Sequence, residues 1–376
     1  MLTLLSSGCA ARHSNVLAAS STDLRLPSGF ALTVIAHVDG ARELTVSPNG
    51  DVFVGTKGTQ IFVIPSAEDG GLRSGHAFTT IDDAPVAGVT LTKDAMYAGS
   101  QFGVWRVPYK IGDRTARAKP KKIASVRTSG VSSDHVTTSI AYSHNSVFAS
   151  VGSSCNVCDP ESDATRATIA QIAPDDGRMD QKAIHIRNAI ALTTNPNTGT
   201  VWAGVAGQDE LQHGHPYEIF DAVTLHSGVA DYGWPYCYDK RRPAKPGRNC
   251  ANVVVPRVVF PAYETPMGAA IYPAHPRGKH AFPSTYWGGA FVALHGSWHQ
   301  PPVPPRVAFI PLRGDVPAKP VNWSNPGAQW SEFVGGYQNE SGGRGGRPTG
   351  VAVGPAGDLF VADDFNGNIY RIRAVR

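Results

Sequence analysis

Hydrophobic and polar residues alternate along this chain in short runs, each cut by a Gly, Asn or Asp turn. The clearest runs are LTVSPNGDVFVGTKGTQIFVI over 44–64, GVTLTKDAMYAGSQFGVWRV over 88–107, TSIAYSHNSVFASVG over 138–152 and AIALTTNPNTGTVWAGV over 189–205. A padded copy covers 267–294, and a clean last one, TGVAVGPAGDLFVADDFNGNIYRI, covers 349–372. Alternation with period two puts every second side chain on one face, so these runs predict strands. The Asn-Gly-type turns and β-branched residues make each unit a hairpin or meander. Only short pieces such as 216–223 carry a helical rhythm.

Strand units repeating every ~40–50 residues are the mark of propeller blades. Six units therefore predict an all-β fold, a six-bladed β-propeller; an array of β-sandwiches fits their even spacing less well. The run FALTVIAHV at 30–38 precedes the first unit and is expected to supply the outer strand of the last blade. Residues 1–24 are expected to be a leader remnant and linker, and 25–376 the propeller.

Composition narrows the picture. Forty Gly and 29 Pro fit a turn-dense β protein, while a net charge of +4 with 17% charged residues offers no nucleic-acid surface. Lys240, Arg241, Arg242 and Lys245 share one Pro-rich loop, expected to be a solvated insertion. The N-terminal MLTLLSSGCAARHSN ends a short apolar run in Ser-Gly-Cys, like the cleavage end of a bacterial lipoprotein signal. That apolar run is shorter than a full signal peptide. Export to the periplasm or cell envelope is expected, with any membrane attachment through a lipid on Cys9. Cys155 and Cys158 form a single C-x-x-C after a strand, with no histidine pair at zinc spacing. Two local disulfides, 155–158 and 237–250, are expected, as suits an oxidising compartment.

The chemistry lies where the strands begin. His135 stands just before one apolar strand, and Arg187 and Asn188 stand at the same place before the next. Neutral imidazole is suited to taking a proton near neutral pH, and a guanidinium beside an amide suits an anionic, carbonyl-rich partner. Equivalent turns on neighbouring blades would face one axis.

Asp134-His135, GSSCNVCD (152–159), IRNAIAL (186–192), YGWPYCY (232–238), LHGSW (294–298) and GRPTGVAVGPAGDLFVADDFNGNIYRI (346–372) stand in order. Together they resemble the soluble pyrroloquinoline quinone (PQQ)-dependent glucose/sorbosone dehydrogenases, nearest to the sorbosone or pyranose dehydrogenase type. The likeness covers roughly residues 25–375. It implies a six-bladed propeller with PQQ and calcium in its mouth. His135 would be the base that takes a sugar hydroxyl proton while hydride passes to the quinone. Arg187 and Asn188 would clamp the cofactor, Arg347 would sit at its edge, and His295, Gly296 and Ser297 would line its pocket. Arg42 would add a cation from the first blade. The resemblance places calcium on Glu218 and Tyr232, with Asp209 and Glu210 as competing acids. An aldose or sorbosone-like sugar would be the substrate, and electrons would leave to a separate acceptor, since Cys158 is followed by Asp159 and not by a haem-attaching histidine.

The chain also departs from that pattern. Val86 and Ala87 stand where the family has a glutamine, His299-Gln300 follow HGSW, and Ser143-His144-Asn145 replace a Pro-Asp-Gly turn. Two other classes stay open at this point. One is a non-enzymatic propeller of the NHL or YVTN kind that binds a glycan or protein, and the other is a calcium-dependent lactonase-type hydrolase.

Overall fold

The computed structural model describes residues 23–67, 71–128, 134–158, 160–161, 163–297, 299 and 302–375. Cys9 and Trp298, and with them the expected lipid site, lie outside the described residues. Among the described residues there is no α-helix, and no helix is long and apolar enough to cross a membrane.

Six units, each with four antiparallel strands, form a six-bladed propeller, and in the third blade Ala230–Asp231 adds a short fifth strand, parallel to Met179–Ile184. Their innermost strands are Ala41–Val46, Gly88–Leu91, Thr138–Ser143, Asn188–Thr194, Pro266–Ile271 and Pro348–Val353. Each inner strand touches its neighbours on both sides, and the last touches the first, which closes the ring. The outer strand of the sixth blade is Phe30–His37, paired antiparallel with Asn368–Ala374, so the two ends of the described chain are fastened together. Phe30 seals this joint, edge-on to Phe282 at 4.7 Å and to Phe333 at 5.1 Å between ring centres. Burying one such ring is worth roughly 2 kcal/mol.

The segment 216–223 departs from its helical rhythm. Glu218–Ala222 is a strand of the fourth blade, paired on both sides with Val201–Ala206 and Val258–Phe260. A partner strand on each edge supplies ladder partners that a lone helical turn could not, which outweighs weak local preference. The substituted turn at 143–146 keeps its tight hairpin: His144 and Asn145 both adopt positive φ, 46° and 57°, the conformation a two-residue loop demands. Both expected disulfides form, Cys155–Cys158 and Cys237–Cys250. The basic loop is a two-stranded ribbon tied down by the second of them, with Arg241 and Arg242 exposed.

Candidate functional site

All six inner strands run the same way, so their first residues collect at one end of the axis. Arg42, His135, Asn188 and Arg347 stand there, joined by the loops that follow the second strand of each blade. His135 has φ +47°, a left-handed conformation that a side chain bearing a Cβ rarely adopts. Two buried arginines hold this turn. Arg127 donates to the carbonyls of His135 and Thr137, both at 2.7 Å, while Arg166 donates to the carbonyls of Asp134, Gly152 and Ser153.

The ring of His135 is equally constrained. Its Nδ1 lies 3.0 Å from both the carbonyl and the hydroxyl oxygen of Ser153. A carbonyl can only accept, so Nδ1 carries the hydrogen and the lone pair sits on Nε2. Among the described residues Nε2 has no hydrogen-bond partner. Burial, and next the nearby charge of Arg187, lower the pKa to about 4, so the ring is neutral at physiological pH. Gly152 makes room here. A Cβ on it would stand 2.5 Å from both the His135 Cβ and the Asn188 Oδ1. The His135 ring and the Asn188 amide are therefore neighbours across a position that only glycine can fill.

Arg187 is buried and fully engaged. It donates to the Asn156 carbonyl at 3.2 Å, to Asn156 Oδ1 at 2.9 Å, to the carbonyls of Ala206 and Gly207, and to Asp209 at 3.5 Å. With all five donors so engaged, it brings positive charge to the mouth with few free hydrogens.

The cations opposite are under-neutralised. Asp364 receives Arg42 at 3.0 Å, Lys57 at 2.8 Å and His295 Nε2 at 2.9 Å. Against the cost of burial, the bond from His295 and the charges of Lys57 and Arg42 hold its carboxyl well below the usual range. His295, buried, has its own pKa lowered to about 4 and donates as a neutral ring. Arg347 lies against the carbonyls of His295 and Gly296, and Arg344 against that of Ser297. Neither arginine forms an ion pair among the described residues, and burial followed by repulsion from Arg344 brings the Arg347 pKa down to about 10. The His295-Gly296-Ser297 turn thus offers main-chain acceptors that aim two arginines. Gly296 is required in it, with φ +65° and the Val303 carbonyl 2.2 Å from where a Cβ would be.

The two residues expected to ligate calcium do not converge. The Glu218 carboxyl accepts the Gly207 and Tyr263 amides at 2.8 and 3.0 Å, and burial raises its pKa to about 8. Tyr232 instead donates to Asp221 at 2.7 Å, and the buried Asp221 also pairs with the half-buried His226 and Arg257. Glu218 and Asp221 are three apart on one strand and so face opposite sides of it, which separates the two groups. Asp209 pairs with Arg187, and Glu210 is exposed. No group of three or more His, Cys, Asp or Glu side chains able to hold a metal comes together among the described residues.

Sequence reasoning missed Asp364, Lys57, Arg344, Arg127, Arg166 and Asn156. The acidic pair in FVADDFNG was the available signal for Asp364, and the C-x-x-C of GSSCNVCD that encloses Asn156 was the signal for that residue; the others lie in loops without a pattern. It also gave no notice of Glu43, which lies deeper on the axis. Glu43 is buried, its Oε1 has no partner, and it stands at the inner end of a cavity of about 500 Å³ that runs towards the far face. Among the described residues no cation lines that cavity, whereas Arg42, Arg344 and Arg347 gather at the opposite end of the axis.

Fold and site together define a six-bladed propeller whose mouth holds a neutral histidine among cations. Residues 244–375 match a family model described as TrAA12-like. The chain is similar in structure to the holo form of the pyranose dehydrogenase PQQ domain from Coprinopsis cinerea, with TM-score 0.77 and 19% identity, covering 93% of this chain and 97% of that one. It is also similar to the calcium structure of a Trichoderma reesei carbohydrate-active enzyme of family AA12, with TM-score 0.76, 18% identity and the same coverage of 93% and 97%. The soluble aldose sugar dehydrogenase of Escherichia coli, in its apo form, aligns with TM-score 0.65 and 14% identity over 92% of this chain and 99% of that one. These similarities agree with the resemblance to PQQ-dependent dehydrogenases carried by the motifs.

Proposed function

We propose that this protein is a PQQ-dependent oxidoreductase that oxidises an aldose or a sorbosone-like sugar. The observation that carries the reading is a neutral histidine with its lone pair on Nε2, beside a mouth where Arg42 and Lys57 share Asp364 while Arg344 and Arg347 form no ion pair among the described residues. A planar tricarboxylate fits that imbalance. Among the described residues Arg347 and Arg344 form no ion pair, and a low-dielectric mouth strengthens each contact with an anion. Arg42, Asn188 and Lys57 would complete the cradle, with the His295-Gly296-Ser297 turn aiming its arginines.

When bound, the quinone supplies an electrophilic carbonyl that accepts hydride. The chain does the rest. His135 Nε2 takes the hydroxyl proton of the sugar, Ser153 keeps the ring in the required tautomer, and the Arg187 charge keeps it unprotonated beforehand. The alcohol carbon then loses a hydride and becomes a carbonyl, so the substrate gives up two electrons, both carried by the hydride, and one further proton, which His135 takes.

Calcium belongs to this reading by analogy with the neighbours. Among the described residues the side chains form no carboxylate cage for it, so from these residues an ion would draw on main-chain and cofactor oxygens. The same shortage of acidic ligands weighs against a lactonase-type hydrolase. The two disulfides favour an exported, periplasmic or envelope protein, with a sugar as small-molecule partner and a separate electron acceptor.

The test is direct. Purified protein is mixed with PQQ and calcium, passed through gel filtration, and assayed for dye reduction with a panel of aldoses and sorbosone. Retained quinone absorbance, with reduction that disappears in His135→Ala while the quinone stays bound, supports the reading. Loss of all quinone on the column refutes it in favour of a binding propeller.

A further inference from the structure

The loop after the strand Ser146–Val151 does two jobs at once. Ser153 fixes the His135 ring, and three residues later Asn156 grips the Arg187 guanidinium through both its carbonyl and its side-chain oxygen. Asn156 is itself sewn in place. Its Oδ1 accepts the Asp209 amide at 2.8 Å, its Nδ2 donates to the Asp209 carbonyl at 3.1 Å, and its carbonyl also accepts Trp234 Nε1 at 3.3 Å. The Cys155–Cys158 disulfide closes a ring of four residues around it. A second link ties Ser153 to this ring, since the Ser153 hydroxyl donates to the Cys155 carbonyl at 2.8 Å.

A four-residue surface loop left open would sample many conformations, at a cost of roughly 1–2 kcal/mol per residue to order it. Closing the loop covalently removes most of that freedom before anything binds. Val157, at the loop's tip, is exposed, so the bridge is not needed to bury an apolar core. What the bridge holds is the peptide that faces Arg187.

We propose that the Cys155–Cys158 ring is the positioning element of the mouth, with Asn156 a positioning residue that sets Arg187 against His135. The inference rests on the reading of the mouth as a quinone and sugar site. Asn156 touches no reacting atom; it acts by fixing where the Arg187 charge stands. The charged groups facing His135 are Arg187, Asp134 and Arg166, and Arg187 is the one whose place depends on Asn156. If the guanidinium swings away, the imidazole loses the cation that disfavours its protonation.

The experiment follows the His135 ring directly in cofactor-free protein, by NMR of histidine-labelled samples with His135→Gln for assignment. Asn156→Ala should move the His135 titration upward by about one unit and weaken PQQ binding about tenfold. The pair Cys155→Ser with Cys158→Ser should move both in the same direction, by less. Val157→Ala, in the same loop, should leave both unchanged. Unaltered titration and affinity in both the Asn156 variant and the cysteine pair would overturn the inference. If wild-type protein binds no PQQ at all, the proposed function fails, and the titration alone still decides whether Asn156 positions Arg187.

Discussion

Glu43→Gln is the substitution with the most calculable effect. Glu43 sits on the propeller axis, where the Ile140 amide lies 3.5 Å from Oε2 and Oε1 has no partner. Burial raises its pKa from 4.5 to about 8, against the lowering effects of Ser139, Ile140, Arg42 and Val89. A carboxyl whose folded pKa lies above its unfolded one holds a proton in the native state that the unfolded chain has released. Stability therefore falls as pH rises between the two values, and levels off above the folded one. Between about pH 6 and about pH 9 this single group should cost the fold about 2–3 kcal/mol. Glutamine keeps the shape and cannot ionise. Any intrinsic cost of the amide is the same at both pH values, and the other raised acids, Glu218 and Glu264, act equally in both proteins. The gap between variant and wild type should thus shift in the variant's favour by that amount on going to the higher pH. For a chain of 376 residues this corresponds to a change in the melting-temperature difference on the order of 3 °C. Differential scanning calorimetry of both proteins at the two pH values measures it. A gap that stays constant, or moves the other way, would show that Glu43 is ionised in the fold, with a counter-charge or water that stabilises it.

Three further outcomes are expected. Arg347→Leu should weaken PQQ binding at least tenfold and reduce the salt dependence of that binding, as followed by fluorescence titration at several ionic strengths. Gly296→Ala should lower stability by about 1–3 kcal/mol and disturb the aim of Arg347 and Arg344, because its φ is positive and the Val303 carbonyl blocks a Cβ; a melting curve matching wild type would contradict it. Asp364→Asn should flatten the acid limb of the stability profile. The depressed carboxyl contributes stability above its ordinary value of 3.8, and that contribution is lost as pH falls towards its lower folded value. Acid unfolding monitored by near-ultraviolet circular dichroism tests this.

Much of the architecture was legible from pattern alone. Period-two alternation with Gly and Asn turns identified the blades, and the early run at 30–38 does close the ring by pairing with the last strand. Both disulfides followed from cysteine spacing. The segment 216–223 was less legible, since pairing on both edges, and not its own rhythm, makes it a strand. The mouth was half legible. His135 and Asn188 are brought together, and Arg42 and Arg347 reach the same end. Arg187 arrives with its donors already engaged, and Tyr232 turns to Asp221, away from Glu218.

The sequence by itself determined what is local: the strand rhythm, the turns, the spacing of cysteines, and the residues at the start of each inner strand. Tertiary structure alone decided the charge balance of the mouth, the tautomer of His135 and the protonation of Glu43. Those depend on groups far apart in the chain, such as Arg42 and Asp364, or Arg187 and Asn156, meeting in a low-dielectric space. Coulomb and desolvation energies are set by distance and burial, and neither quantity is carried by the order of residues until the ring has closed.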